Sequence, residues 1–475
     1  MDFVLILQII VLLGAIFVGI RLGGIGIGYA GGIGVVILGL CLGMKPGSIP
    51  WDVILIIMSV IAAISAMQLA GGLDYLVQIA ERILRSNPKY INFLAPTVTY
   101  FLTILAGTGH TAFSMIPVIV EVAKEQNIKP SAPLSIAVVS SQIAITASPV
   151  SAAVVYMTGV LEPLGWSYPT LIGLWLVTTF AGCMLTALII TLFANLDLSK
   201  DPVYQERLAQ GLVKPSTGVQ NKELKPGAKL SVAIFLIGVL LVVLYATAIS
   251  KVGGKPVLIE NVVVPRDAAI MSFMLGVATF ITIFCKIEVG KVADTSVFKS
   301  GMVACVCVLG VAWLGNTFVG GYTNEIKTLA GDWVKAVPSL LAVIFFFAAM
   351  LLYSQAATAK AITPVVVAAL GISAANPGDA YMLVASFAAV SALFVLPTYP
   401  TLLGAVQMDD TGSTRLGKYV FNHAFLIPGV LAIAFSVAFG FIASAIIWHL
   451  IYSKQLLGVD FPLTIFTNYK IIQIL

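Results

Sequence analysis

Residues 107–123 read GTGHTAFSMIPVIVEVA, and residues 354–370 read SQAATAKAITPVVVAAL. Each stretch opens with small and polar residues inside an otherwise apolar run and then carries a proline, at Pro117 and Pro364. Small polar residues and proline interrupt a helix in a segment that is apolar enough to enter a membrane. The two stretches predict two re-entrant hairpins, at residues 91–122 and 338–370.

The two stretches belong to a longer internal repeat. Further landmarks match at separations of 247 to 249 residues: Gly71–Gly72 with Gly320–Gly321, Pro130 with Pro377, and Pro149 with Pro397. Chance similarity between apolar segments is the alternative explanation. We predict two inverted repeats, a common plan of secondary transporters. The predicted divisions are residues 1–194 for the first repeat, 195–229 for a cytoplasmic linker, 230–453 for the second repeat and 454–475 for a tail of unknown role.

The composition predicts a membrane protein. Of 475 residues, 59% are hydrophobic and 10% are charged, whereas a soluble domain carries about 25% charged residues. Apolar runs long enough to cross a hydrocarbon core of about 30 Å recur along the chain. We therefore predict an all-α polytopic protein with about ten transmembrane helices besides the hairpins. The predicted spans are residues 3–20, 22–44, 53–70, 132–163, 170–194, 230–250, 268–285, 301–320, 379–408 and 424–453.

The loop charges predict an orientation. With the N-terminus outside, the inside loops hold roughly twice as many Lys and Arg residues as the outside loops, as the positive-inside rule requires. This orientation places both termini in the periplasm of a bacterium, with the chain passing several times through the inner membrane and surrounded by its lipid. The spread of basic residues over short loops gives no sign of nucleic-acid binding.

Four interruptions of apolar runs predict where a small anion binds. Two are the hairpin tips, and the other two are breaks within the spans 132–163 and 379–408. Free N–H groups and helix N-termini at such breaks attract carboxylates. Helix packing and kinking are the alternative role of these small residues. The predicted site residues are Gly107, Thr108, Gly109, His110, Thr111, Ser148, Pro149, Ser151, Ser354, Gln355, Thr358, Pro397, Thr398 and Tyr399.

Two ionisable residues lie beside the hairpin tips. Lys360 follows the second tip within an apolar segment, and a lysine at mid-membrane usually faces a cavity or a partner. We predict that Lys360 neutralises part of the substrate's charge; snorkelling to the membrane surface is the alternative. His110 is predicted to donate to a carboxylate or to carry a proton, with a structural hydrogen bond as the alternative.

Other motifs give no sign of an enzyme, a metal or a cofactor. Residues 26–31 match G-x-G-x-x-G, but no βαβ unit surrounds them. Gly24, Gly28 and Gly32 instead predict a small-residue face for close helix packing or a dimer contact. The five cysteines lie in apolar stretches without a ligand pattern, which predicts core residues.

Several long strings resemble the anaerobic C4-dicarboxylate (Dcu) transporter family, and most closely its A-type, aspartate-exchanging branch. They include GGLDYLVQIAERILRSNPKY (residues 71–90), QIAITASPVSAAVVYM (142–157), LLYSQAATAKA (351–361) and LPTYPTLLGAVQMDDTGSTRLGKYVFNHAFLIPG (396–429). The resemblance runs from residue 1 to about 453 and does not include the tail.

The resemblance implies an inner-membrane antiporter that takes up aspartate, fumarate or malate and exports succinate during anaerobic respiration. It also implies a homodimer with an elevator mechanism, in which a transport unit moves against a scaffold. Some family members act with a sensor kinase through an Asp shortly after L-P-T-Y-P; here that position is Leu402, although Thr398 is retained. A sensor-kinase partner is therefore not expected. A sodium- or proton-coupled symporter remains the alternative to exchange.

Overall fold

The computed structural model describes residues 3–456 apart from residues 23, 214–222, 253–254, 323, 326–336, 338, 398 and 418–420. Most of the predicted tail and the middle of the predicted linker lie outside the described residues. The described chain is helical, with one short antiparallel hairpin that pairs Lys251–Val252 with Lys255–Pro256. The all-α class predicted from the sequence is confirmed.

The helices follow one another along the described chain. The first half contains α1 (Phe3–Leu22), α2 (Gly26–Val36), α3 (Trp51–Leu69), α4 (Gly72–Ser86), α5 (Ile91–Ala106), α6 (Ile116–Glu125), α7 (Ser131–Ala144), α8 (Ala152–Leu161), α9 (Tyr168–Phe193) and α10 (Pro202–Ala209). The second half contains α11 (Ala228–Ala248), α12 (Arg266–Phe284), α13 (Ser296–Cys307), α14 (Trp313–Gly321), α15 (Leu340–Leu352), α16 (Gln355–Leu370), α17 (Ala380–Ser386), α18 (Pro400–Met408) and α19 (Leu426–Leu456).

Short 3₁₀ and π segments extend or join several of these helices. The 3₁₀ segments are Pro88–Tyr90, Gly109–Ser114, Ile145–Ala147, Glu162–Leu164, Leu198–Lys200, Val289–Asp294 and Phe387–Phe394, and the π segments are Ile37–Cys41 and Val308–Ala312. The π segment Val308–Ala312 joins α13 to α14, so that Ser296–Gly321 is one apolar rod of 26 residues.

Six helical rods among the described residues are long and apolar enough to cross a membrane, which confirms a multi-pass protein. The other four of the ten predicted spans are shorter or broken: Phe3–Gly19, Gly26–Cys41 and Ala380–Phe394 are short apolar helices, and residues 131–164 form two pieces bent by 41°. Two of these four, residues 132–163 and 379–408, are the spans in which the sequence predicts a break. The number of spans stays a prediction.

The four predicted interruptions coincide with helix ends. The α5 helix ends before Gly107 and α15 before Tyr353, and both residues have a left-handed backbone, with φ of 65° and 58°. The break between α7 and α8 contains Pro149, and the one before α18 is followed by Pro400. Because proline lacks an N–H group, it disfavours continuation of the preceding helix through either break.

Glycines allow α2 to touch the π segment between α13 and α14. A Cβ atom added to Gly28 would lie 2.3 Å from the carbonyl oxygen of Val306, and one added to Gly310 would lie 1.9 Å from the carbonyl oxygen of Gly28. A Cβ on Gly31 would also approach the backbone of Gly310, at 2.4 Å. The two backbones are thus in direct contact, as small residues permit in membrane proteins.

Of the three glycines predicted to form a small-residue face, only Gly28 packs against another helix within the chain, and the alternative of a dimer contact stays a prediction. A Cβ added to Gly24 or Gly32 would meet nothing within 4 Å. The buried stripe instead runs through Gly28, Gly31 and Gly34. Gly24 lies before the start of α2 and has a left-handed backbone, so it does not continue the helix face that Gly28 presents to the crossing rod.

The first part of the predicted linker packs against the chain that follows α6 and the chain that follows α18. Asp201 caps α10 by accepting hydrogen bonds from the N–H groups of Val203 and Tyr204 at 3.0 and 3.3 Å. Its carboxylate also pairs with Lys129 at 3.3 Å, and Arg415 lies 3.7 Å away. Burial of Asp201 opposes its ionisation, but these hydrogen bonds and charges together lower its pKa. The α10 helix is therefore fastened to the elements that carry the predicted site.

Candidate functional site

Two helices begin with the same serine cap. Ser151, before α8, accepts a hydrogen bond from the N–H of Val154 at 3.3 Å. Ser354, before α16, accepts one from the N–H of Ala357, also at 3.3 Å. Both serines have extended backbones, and such caps satisfy N–H groups that a helix start leaves without intrahelical partners. Each break thereby presents an ordered helix N-terminus.

Both helix starts open into one cavity of about 70 Å³. On this measure about 10–15 Å³ holds one water molecule, so the cavity has room for several waters or a small organic anion. Its lining residues come from six segments of the sequence: Val53 and Ile57; Gly107 and Thr108; Ile145 and Ser151–Ala153; Ala304 and Val308; Tyr353–Ala356; and Tyr399.

The walls of the cavity differ in character. The side formed by α3 and α13 with its π extension is apolar, through Val53, Ile57, Ala304 and Val308. The opposite side presents hydroxyl, amide and backbone groups of the tips and breaks. The helix α18 also begins here, directly after Tyr399, whose ring lies 5.4 Å from that of Tyr353.

The lining residues of the cavity include no charged side chain, so any attraction for an anion must come from the helix starts. A helix N-terminus acts like about half a positive charge and attracts anions. Two such termini with serine caps, of α8 and α16, meet here, together with the start of α18. Because the surroundings are apolar and partly closed, these charges are screened less than they would be in water. The arrangement therefore suits a carboxylate at each serine-capped start.

The tips and the breaks also contact one another. A Cβ added to Gly107 would lie 2.8 Å from a side-chain carbon of Val150 and 3.2 Å from its carbonyl oxygen, so only glycine fits this left-handed position. Gln355 lines the cavity and donates from Nε2 to the carbonyl oxygen of Gln142 at 3.2 Å. The first tip is therefore packed on the break before α8, and the second tip is tied to α7.

Residues 4–448 match the model of a family described as anaerobic C4-dicarboxylate membrane transporter. The chain belongs to this family. A C4-dicarboxylate transporter DcuA of Wolinella succinogenes is 66% identical over 443 residues, covering 93% of this chain and 100% of that protein. The DcuA of Escherichia coli K12 is 56% identical, covering 92% and 98%. The anaerobic C4-dicarboxylate transporter DcuB of an Escherichia coli O6:H1 strain is 36% identical, with the same coverages.

Family membership confirms the resemblance noted in the sequence, and the family consists of membrane transporters rather than enzymes. The crystal structure of the Alcanivorax borkumensis YdaH transporter is 12% identical, with a TM-score of 0.46 over 87% of each chain. At that score the similarity supports no statement about the transporter described here.

Six of the residues predicted for the site line the cavity of this Dcu family member: Gly107, Thr108, Ser151, Ser354, Gln355 and Tyr399. Others are placed outside its lining. Ser148 donates to the carbonyl oxygen of Ile104 at 2.6 Å, and Thr358 donates to that of Ser354 at 2.7 Å. Both hydroxyl groups hold a break in shape.

The remaining predicted residues have diverse positions. The carbonyl oxygen of Pro149 accepts a hydrogen bond from the hydroxyl of Tyr168 at 3.4 Å. Gly109 is buried near Ser141, and Pro397 is half-buried; neither lines the cavity. Of the other predicted site residues, Thr398 and the side chains of His110 and Thr111 lie outside what the structure describes.

Lys360 does not reach the cavity in this structure. Its ammonium group pairs with the carboxylate of Asp52, 308 residues away in the sequence, and lies 5.6 Å from the ring centre of Tyr156. Both the proposed neutralisation of substrate charge by Lys360 and its snorkelling to the membrane surface stay predictions. Nothing in the sequence indicates this pairing, because Asp52 has the pattern of an ordinary charged residue at the start of a span.

Sequence reasoning also missed the apolar wall and Tyr353. Val53, Ile57, Ala304 and Val308 are indistinguishable in the sequence from lipid-facing residues of the same helices. Tyr353 had a usable signal, since it directly precedes the serine of the second tip. Among the described residues, no group of three or more His, Cys, Asp or Glu side chains is placed to hold a metal ion.

Proposed function

We propose that this protein exchanges C4-dicarboxylates across the bacterial inner membrane, taking up aspartate, fumarate or malate and releasing succinate under anaerobic conditions. The observation that carries the proposal is the cavity in which the starts of α8 and α16 meet, each capped by a serine. The names of the related proteins supply the substrate class.

In the proposed complex, one carboxylate binds at the start of α8 and the other at the start of α16. The hydroxyl groups of Thr108, Ser151 and Ser354 and the amide of Gln355 are the polar side chains within reach. The wall formed by Val53 and Ile57 covers the carbon chain. A monocarboxylate of similar size would leave one of the two helix starts without an anion, so affinity depends on both charges.

We further propose alternating access of the elevator type, in a homodimer whose termini are periplasmic. The transport unit comprises the two hairpins and the two broken helices, which are predicted to be related by inverted repeats, and the remaining helices form the scaffold. A bound dianion lowers the cost of carrying the electropositive site across the membrane. The empty site crosses poorly, and this difference enforces exchange.

Exchange of one dianion for another is electroneutral. Aspartate carries a net single negative charge at neutral pH, so its exchange for succinate moves one charge unless a proton or a cation accompanies it. Measuring the membrane potential during aspartate–succinate exchange distinguishes these two cases.

Proteoliposomes test the exchange itself. Purified protein is reconstituted into vesicles that are either empty or filled with succinate, and uptake of labelled fumarate or aspartate is measured with and without a sodium or proton gradient. We expect uptake of either substrate to require internal succinate, and fumarate uptake, which is electroneutral against succinate, to be insensitive to the gradients. Equal uptake into empty vesicles under a gradient would instead establish a cation-coupled symporter.

A matched pair of variants tests the cavity. Thr108→Val removes a hydroxyl from the lining, and Thr279→Val removes one from an exposed position of α12. A hydrogen bond to a charged group contributes about 1.5–3 kcal/mol, and about 1.4 kcal/mol corresponds to a factor of ten in affinity. We therefore expect Thr108→Val to raise the KM for succinate roughly 10- to 100-fold and Thr279→Val to leave it unchanged. Equal KM values for the two variants would contradict the proposed site.

A further inference from the structure

We propose that the carboxylate of Asp52 and a carboxylate of the substrate compete for the ammonium group of Lys360. Asp52 binds this ammonium group until a substrate enters the cavity, and a substrate carboxylate then replaces Asp52. This inference rests on the proposed function and adds a residue to it. It assigns Asp52 a role in setting substrate affinity, although Asp52 is not among the lining residues of the cavity.

Both charged groups stand beside the cavity. Asp52 lies in the first turn of α3, directly before Val53, which lines the cavity. Lys360 lies on α16, four residues after the lining residue Ala356, and residues four apart share a helix face. The ion pair therefore spans the two opposing walls, one helical turn above the cavity on the α16 side.

The surroundings allow the ammonium group to change partners. The side chain of Lys360 is 22% exposed and that of Asp52 is 45% exposed, so neither is locked in the interior. The nearby ring of Tyr156 belongs to α8, the helix whose start also lines the cavity. A lysine side chain is long and flexible, and rotation about its bonds moves the ammonium along α16 toward Ala356.

The charge of Lys360 must be matched in either state. An unpaired lysine within an apolar segment of a membrane protein is strongly disfavoured, and such residues pair with an acid or face water. In the structure the acid is Asp52. A dicarboxylate in the cavity offers a carboxylate of the same chemistry, so the two compete for a single ammonium group.

The exchange of partners also has a mechanical consequence. Asp52 belongs to a helix of the proposed scaffold, whereas Lys360 belongs to the proposed transport unit. Their ion pair therefore ties the two together when no substrate is bound. When Lys360 pairs with the substrate instead, this tie is broken. Binding of substrate in the cavity is thereby coupled to movement of the transport unit against the scaffold.

Binding measurements on four variants test the inference. The Kd for succinate is measured by isothermal titration in lipid nanodiscs for the full chain, for Asp52→Asn, for Lys360→Met and for the double variant. Because the pair is partly exposed, we expect removal of the competitor in Asp52→Asn to lower the Kd about two- to fivefold. Lys360→Met is expected to raise the Kd, and the double variant is expected to match Lys360→Met, since without Lys360 there is nothing to compete for.

Asp410→Asn is the matched control. Asp410 also pairs with a lysine of another element, Lys124, at 2.9 Å, but it is not among the lining residues of the cavity. The Kd of the Asp410→Asn variant for succinate should therefore equal that of the unmodified protein. A Kd that Asp52→Asn leaves unchanged or raises overturns the inference. The inference is also overturned if Asp52→Asn lowers the Kd by the same factor in the presence of Lys360→Met, because that result would reflect only the removal of a negative charge. If the unmodified protein binds no dicarboxylate at all, the proposed function itself fails.

Discussion

The contact between α2 and the π segment gives a sharp prediction for Gly310→Ala. The new Cβ would lie 1.9 Å from the carbonyl oxygen of Gly28. Carbon–oxygen contacts are normally about 3.3 Å or longer, so the two backbones must separate by about 1.4 Å. Overpacking typically costs about 1–3 kcal/mol, and here no side chain can rotate away, which places the cost at about 3 kcal/mol or more.

Thermal unfolding in detergent measures this cost. A destabilisation of 1 kcal/mol shifts the midpoint by about 2–4 °C for 150–250 residues and by less in longer chains. For 475 residues we expect Gly310→Ala to lower the midpoint by about 3–6 °C. Gly32→Ala is the control, because a Cβ there meets nothing within 4 Å. Midpoints for Gly310→Ala and Gly32→Ala that agree within error would refute the proposed backbone contact.

Three further predictions concern the ion pairs and caps. Glu162 and Arg266 form a buried pair at 2.6 Å, and breaking such a pair costs about 3–5 kcal/mol. Glu162→Ala should therefore lower the thermal midpoint more than Glu288→Ala, which breaks an exposed ion pair. The lowered pKa of Asp201 means that its contribution to docking α10 is fully present above its ordinary value of 3.8 and is lost as pH falls through the lowered pKa. Proteolysis within α10 (Pro202–Ala209) should therefore be constant from about pH 5 to 8 in the unmodified protein and faster in Asp201→Asn. Ser354→Ala removes a helix cap worth about 0.5–2 kcal/mol, so it should weaken succinate binding and lower the thermal midpoint together; a change in only one of the two would contradict the dual role of this serine.

Several features of the fold were predictable because their causes are local. Apolar run length identified the segments that enter the membrane, and the small, polar and proline residues at 107–109, 148–151, 354–358 and 397–400 marked the places where helices end. Run length does not register a left-handed residue such as Tyr353, which ends α15 directly before the polar residues of the second tip.

The candidate site was predictable only in part. Residue type and position at a break indicated Thr108, Ser151 and Ser354, which line the cavity. The same reasoning also selected Ser148 and Thr358, whose hydroxyl groups are directed to nearby carbonyl oxygens. The direction of a side chain at a break depends on which neighbouring helix supplies a hydrogen-bond acceptor, and the sequence does not specify that neighbour.

The sequence by itself determined that this chain is a helical membrane protein of the Dcu family with breaks at four places. These properties follow from hydrophobicity and backbone chemistry, which act over a few consecutive residues. Only the tertiary structure decided that three helix starts share one cavity, that Val53 and Val308 close it, and that Lys360 pairs with Asp52. Those contacts join residues hundreds of positions apart, and helix packing alone brings them within reach of one another.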